Sequence, residues 1–215
     1  MKINRFENNE KLYKTAYRLA VFTVGYNIIE GLISVYFGLA DDTLSLFGFG
    51  LDSFIETISA LGITYMISRI RKNPDTERSK FEITALKVTG WCFYGLAFLL
   101  LISGTINFFN GNIPKTTLPG VIITSISIVS MILLIMAKRN VGRKLDSAPI
   151  MADANCNLVC VYMSAVVLIS SALFEIFKWG YFDLIGTAGI IYFSVKEGLE
   201  SFEKAKNNGH CDDCK

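Results

Sequence analysis

Two carboxylates, Asp52 and Glu56, stand four residues apart inside one apolar run, and two thiols, Cys156 and Cys160, stand four apart inside another. In a helix an i,i+4 pair shares one face. An ionisable group at the depth of a bilayer is costly, so such groups mark functional sites by default. Brought together, two carboxylates and two thiolates form a four-donor site for a divalent cation. Oxygen and sulfur donors at about 2.0–2.3 Å suit Zn²⁺ and its softer relative Cd²⁺, whereas Mg²⁺ and Ca²⁺ prefer oxygen alone.

Further residues extend this set. Asp153, three positions before Cys156 and nearly on its face, reads as a fifth ligand, a proton carrier or a group on the ion's approach. Asn155 and Asn157 are placed to steady the ligands by hydrogen bonds. Glu30, with Asn27 close before it, either lines the same cavity or fixes helix packing. Cys92 stands alone and reads as a small packing residue. Near the C-terminus His210, Cys211 and Cys214 bring together the chain's one histidine and a CxxC. Such a cluster can chelate a soft metal as a flexible arm, the alternative being a plain solvated end.

The elements that must position these groups follow from composition. Hydrophobic residues make up 52% of the 215-residue chain, with a mean hydropathy of +0.42, more apolar than an ordinary soluble domain. Six apolar segments, 14–39, 44–70, 85–109, 118–137, 146–177 and 181–202, each have the length of about 20 residues that crosses a hydrocarbon core of about 30 Å. Lipid tolerates no open strand edge, and the alternation of a membrane barrel is absent, so each span is expected to be a helix. The fold class is therefore all-α: a polytopic membrane protein with six transmembrane helices over 1–205 and a short tail over 206–215.

Little is left for a large soluble domain, and a net charge of +2 gives nucleic acid no purchase. The first 18 residues lack the short apolar core and cleavage site of a secretory signal. Five cysteines, two of them in mid-span, argue against a disulfide framework. Nineteen of the 21 Lys and Arg residues fall in 2–18, 69–87, 138–144 and 196–215. Those segments alternate along the chain, so the positive-inside rule places both termini in the cytoplasm, in a cell (inner or plasma) membrane. The turn at 40–43 is too short for anything but antiparallel neighbours. Its Asp41 and Asp42 are expected to cap the second helix or to draw cations toward a vestibule. Small residues such as Gly31, Gly48 and Gly50 are expected where helices approach closely, and the last two could also leave room for an ion.

Depth tests whether the pairs can meet. At about 1.5 Å per residue, Glu56 lies roughly 20 Å and Asp52 roughly 25 Å from Arg69 at the end of the second helix. Cys156 lies roughly 18 Å and Cys160 roughly 24 Å from Lys144, before the fifth. If these antiparallel helices are neighbours, Glu56 is level with Cys156 and Asp52 with Cys160. Metal binding to such donors releases protons, which is what a proton-coupled exchanger of heavy-metal cations requires.

The run from Ile29-Glu30-Gly31-Leu32 through Leu44-Ser45-Leu46 to Leu51-Asp52-Ser53-Phe54-Ile55-Glu56 resembles the first two helices of the cation diffusion facilitators. Ala152-Asp153 followed by Cys156 and Cys160 resembles their fifth helix, and Asp183 with Lys196-Glu197-Gly198 their sixth. The resemblance implies a six-helix transporter that moves Zn²⁺ or Cd²⁺ as its substrate out of the cytoplasm in exchange for protons, commonly as a homodimer, with no organic cofactor. Carried over by position, its metal site is Asp52, Glu56, Cys156 and Cys160. Cysteines stand where the family usually has His and Asp. The resemblance further implies a compact branch without the family's cytoplasmic C-terminal domain.

Competing classes remain open at this point. A non-transporting metal-binding partner or sensor would retain the ion without flux. A proton-coupled exporter of organic cations would use the acids but not the thiols. A membrane thiol oxidoreductase is the least suited, since a CxxxC in mid-membrane beside acids does not favour exchange chemistry, and no enzymatic activity is expected.

Overall fold

A computed structural model describes residues 2–72, 80–111 and 113–206. Among these the chain forms six helices and no strand: α1 (Lys2–Ala40), α2 (Leu44–Lys72), α3 (Lys80–Asn110), α4 (Leu118–Leu145), α5 (Ala148–Phe177) and α6 (Tyr181–Lys206). Each of the six expected segments falls on a helix, most running several residues further at the end that carries the termini. His210, Cys211 and Cys214 lie outside the described residues.

Neighbouring helices close a ring in the order α1, α4, α5, α6, α3, α2, and α2 also touches α5 and α6 across it. The second and fifth helices are therefore neighbours, as the depth argument requires. The interior is joined by Leu46, Phe49, Leu100, Met163, Val167 and Ile190, drawn from α2, α3, α5 and α6. Cys92 packs against this cluster. Exposure is inverted relative to a soluble protein: Phe22, Ile29, Tyr36, Phe98, Leu133 and Tyr192 face outward while Asn27, Glu30, Asp52, Lys138 and Asp183 are buried. Large apolar side chains on the outside and polar ones inside are the arrangement that hydrocarbon solvent selects.

Five of the helices are long and apolar enough to cross a membrane, and α6 is the exception among the described residues. Its sequence is diluted by an inward stripe, Asp183, Thr187, Ser194, Glu197 and Ser201, all buried, while Ile185, Tyr192 and Leu199 point out. Part of the polarity that lowers its hydropathy thus faces protein rather than lipid, and the exposed charges Lys196, Glu203 and Lys206 lie toward its C-terminal end.

Asp183 corrects the expected capping of α2. The Leu44 and Ser45 amides donate to its carboxylate at 2.9 and 3.1 Å, and the Ser45 hydroxyl donates at 2.5 Å. An anion at the first turn satisfies amides that the helix itself cannot and complements its dipole. Asp42, in the left-handed region at φ 56°, instead pairs with Lys115 at 3.0 Å. This end, the loop end, is tied further. Lys115 N donates to Asp41 O at 2.9 Å, Thr43 Oγ1 to Thr116 O at 3.1 Å, and Thr116 Oγ1 to Glu175 Oε1 at 2.7 Å.

Helices α1 and α2 approach backbone to backbone. A Cβ at Gly38 would lie 2.6 Å from Phe47 N, and one at Gly50 would lie 2.7 Å from Val35 N. Gly50 is accordingly a contact residue facing α1 and leaves no room for an ion there. Gly48 is closed off by the Leu100 side chain, 2.8 Å from where its Cβ would be.

Candidate metal site

The i,i+4 spacing on α2 and α5 places a carboxylate and a thiol opposite each other. Cys160 Sγ lies 2.5 Å from Glu56 Oε1, and Asn27 Nδ2 donates to Glu56 Oε2 at 3.3 Å. The three residues line a cavity of about 80 Å³ between α1, α2, α3, α5 and α6, which Asp153, Cys156, Asn157, Glu197 and Lys204 also border. Since one water needs roughly 10–15 Å³ on this measure, several waters or a partly hydrated cation fit.

The levels differ from expectation by one helical turn. Glu56 meets Cys160 rather than Cys156, because counting residues from the charged ends presumes upright helices with level ends. Asp52 lies a turn beyond, toward the loop end, 1% exposed and with Oδ1 unpartnered among the described residues. It does not border the cavity. Cys156 lies a turn the other way, where Lys204 Nζ approaches its sulfur at 3.8 Å. Among the described residues no three Cys, His, Asp or Glu side chains converge closely enough to hold a metal ion in this conformation. The four expected donors thus form a ladder, with one rung closed.

Asp153 and Asn157 are engaged elsewhere. Lys138 of α4 reaches between them, 2.9 Å from Asp153 Oδ2 and 3.2 Å from Asn157 Oδ1, with its side chain only 1% exposed. Asp153 is therefore the partner of a buried cation, and Asn157 completes that cation's hydrogen bonding. Lys138, counted in sequence as a loop charge, sits inside α4. Asn155 points outward to Arg139 at 3.2 Å.

Glu30, unlike Asp153 and Asn157, does not border the cavity. Tyr26 OH donates to its Oε1 at 3.0 Å and Ser53 Oγ to its Oε2 at 3.1 Å. Of the two roles left open for it, these contacts match the fixing of α1 on α2. Asn27, its companion, does line the cavity.

Two cavity residues escaped functional notice in the sequence. Glu197 was visible only as part of a resemblance and Lys204 only as a terminal charge. The polar stripe of α6 is the signal that points to the first, since Ser194, Glu197 and Ser201 recur at helical spacing on one face.

Comparison with curated protein sequences finds no match. The family model described as the cation efflux transmembrane domain matches residues 19–207, a stretch that contains every cavity residue. The chain accordingly belongs to the cation efflux family, the cation diffusion facilitators, and is a multi-pass membrane transporter of metal cations.

Proposed function

We propose that this transporter exports soft divalent cations of the Zn²⁺ and Cd²⁺ class in exchange for protons, with Glu56 and Cys160 at the centre of its transport site. The observation that carries the reading is the meeting of a carboxylate and a thiol across α2 and α5, at the wall of a cavity large enough for a partly hydrated ion. Sulfur donors favour soft ions and serve Mg²⁺ or Ca²⁺ poorly. Asp52 and Cys156 stand one turn to either side on the same two helices, so a sliding of α2 against α5 brings one or the other to a bound ion. The unpartnered Oδ1 of Asp52 supports its role as a donor in waiting.

Carboxylate and thiolate bind metal only when deprotonated, so metal arrival releases protons and protonation expels metal. Falling pH is therefore expected to weaken equilibrium metal binding. Helices that rock about the site expose it alternately to the two sides. Metal loads from the cytoplasm, the side of both termini, and protons displace it across an inner or plasma membrane. The working unit is a homodimer.

Flux in proteoliposomes under an imposed pH gradient tests this. Wild-type protein is expected to move Zn²⁺ and Cd²⁺. Removing a hydrogen-bond partner of a ligand already costs metal sites about 10–100-fold, so Glu56→Gln and Cys160→Ser should each lose at least that much. Undiminished flux in both variants defeats the assignment.

A further inference from the structure

The cavity carries a second set of donors that Glu56 and Cys160 do not use. Toward the termini end Cys156 borders it from α5, while Glu197 and Lys204 border it from α6. Glu197 is 8% exposed, and its Oε1 is buried without a hydrogen-bond partner among the described residues. A buried carboxylate oxygen left unpaired beside a largely apolar cavity is costly, and such groups call for a ligand or a function. Lys204 supplies the second observation. Its ammonium lies 3.8 Å from Cys156 Sγ and 3.3 Å from Glu200 Oε2. Side chains on a helix lean toward its N-terminus, so Lys204 reaches back from its own turn toward that of Glu197. A tethered positive charge thus stands beside a soft donor, in a cavity that also holds an unsatisfied acid.

We propose that Glu197 and Cys156 form a second cation-binding station at the termini end of the cavity, and that Lys204 occupies it as a tethered counter-cation which an arriving divalent ion displaces. The inference rests on the reading of this cavity as the cation's route, and names the first stop on it. Cys156 and Cys160 are one turn apart, so the station lies about 6 Å from the Glu56–Cys160 rung. One carboxylate and one thiolate, with an ammonium competing for both, hold an ion weakly. Weak binding is what a transfer station needs, since an ion must leave as readily as it enters. The ammonium also screens the cargo: a monovalent ion gains too little to displace it.

The test uses the full chain with Cys92, Cys211 and Cys214 changed to Ser, so that Cys156 and Cys160 are the thiols left. Cd²⁺ is the probe, and the thiolate-to-cadmium charge-transfer absorbance reads ligation at sulfur without any need for transport. With Cys160→Ser added, the band from Cys156 is expected to persist. Adding Glu197→Gln to that protein should weaken Cd²⁺ binding, and adding Lys204→Met should tighten it, each by at least about tenfold, as the loss of one charge at contact range allows. The tightening cannot arise from misfolding. Absence of the band after Cys160→Ser overturns the proposal, as does Cd²⁺ affinity unchanged by Glu197→Gln or not improved by Lys204→Met. Flux lost or retained on Glu56→Gln bears on the transport site alone, so the two readings fail separately.

Discussion

Lys138 is the least expected side chain in the bundle, an ammonium sealed between α4 and α5 against Asp153 and Asn157. Removing one member of a desolvated ion pair strands the other charge at a cost of about 3–5 kcal/mol, whereas replacing both by apolar groups is often neutral. Lys138→Met and Asp153→Asn are each expected to lower thermal stability in detergent by about that amount, and Lys138→Met with Asp153→Leu to recover most of it. Single variants as stable as the wild type would show the pair to be solvated. This residue also shows where sequence reasoning stops. Asp153, Asn157 and the Cys pair were legible from spacing on one helix. Lys138 was not, because Arg139, Arg143 and Lys144 around it resemble a basic loop. The count from the turn held the missing signal: Lys138 lies eight residues before Asp146 and Asp153 seven after it, level in an antiparallel hairpin.

Among the elements, α2 carries the acids, and its placement depends on two contacts. Asp183→Asn leaves the Leu44 and Ser45 amides sharing one acceptor, and a buried donor without its partner costs about 1–3 kcal/mol. A Cβ at Gly38 would strike the backbone of Phe47, so Gly38→Ala forces α1 off α2 at a cost of about 1–3 kcal/mol. Gly95→Ala, which meets nothing within 4 Å inside α3, is the matched control and is expected to be neutral to stabilising by up to about 1 kcal/mol. Thermal midpoints of the three variants decide this, and equal midpoints for Gly38→Ala and Gly95→Ala would contradict the close approach. All six helices and their antiparallel order were legible from hydropathy and turn length, whereas the adjacency of α2 and α5 entered the depth count only as a condition and is supplied by the structure. The one-turn offset of Glu56 on Cys160 was not, since tilt arises from packing between helices and leaves no periodic trace in either.

For the whole molecule, the outward apolar surface and the aromatic groups at both ends describe how the bundle meets a bilayer. Trp179 packs on Tyr181 and Phe182 at the loop end, and Trp91 packs on Tyr94 and Phe202 nearer the other. Aromatic residues favour the two membrane interfaces. An even number of crossings puts both termini on one face, and the export proposed above requires that face, the one richer in Lys and Arg, to be cytoplasmic. A membrane-impermeant maleimide is therefore expected to label Cys211 and Cys214 in inside-out vesicles and to spare them in right-side-out ones. Labelling in the opposite orientation would reverse the direction of transport proposed above.

The ties of Asp183 to α2, and of Lys115 and Glu175 to the adjoining connections, give the bundle a fulcrum at one extremity. A rigid helix swung about such a point travels least near Asp52 and further beyond Glu56, where Ile67 is held by apolar packing against Ala16, Val141 and Ile150, which can slide. Paired spin labels across α2 and α6 should then report one sharp separation at the loop end and a broad, metal-dependent spread at the other.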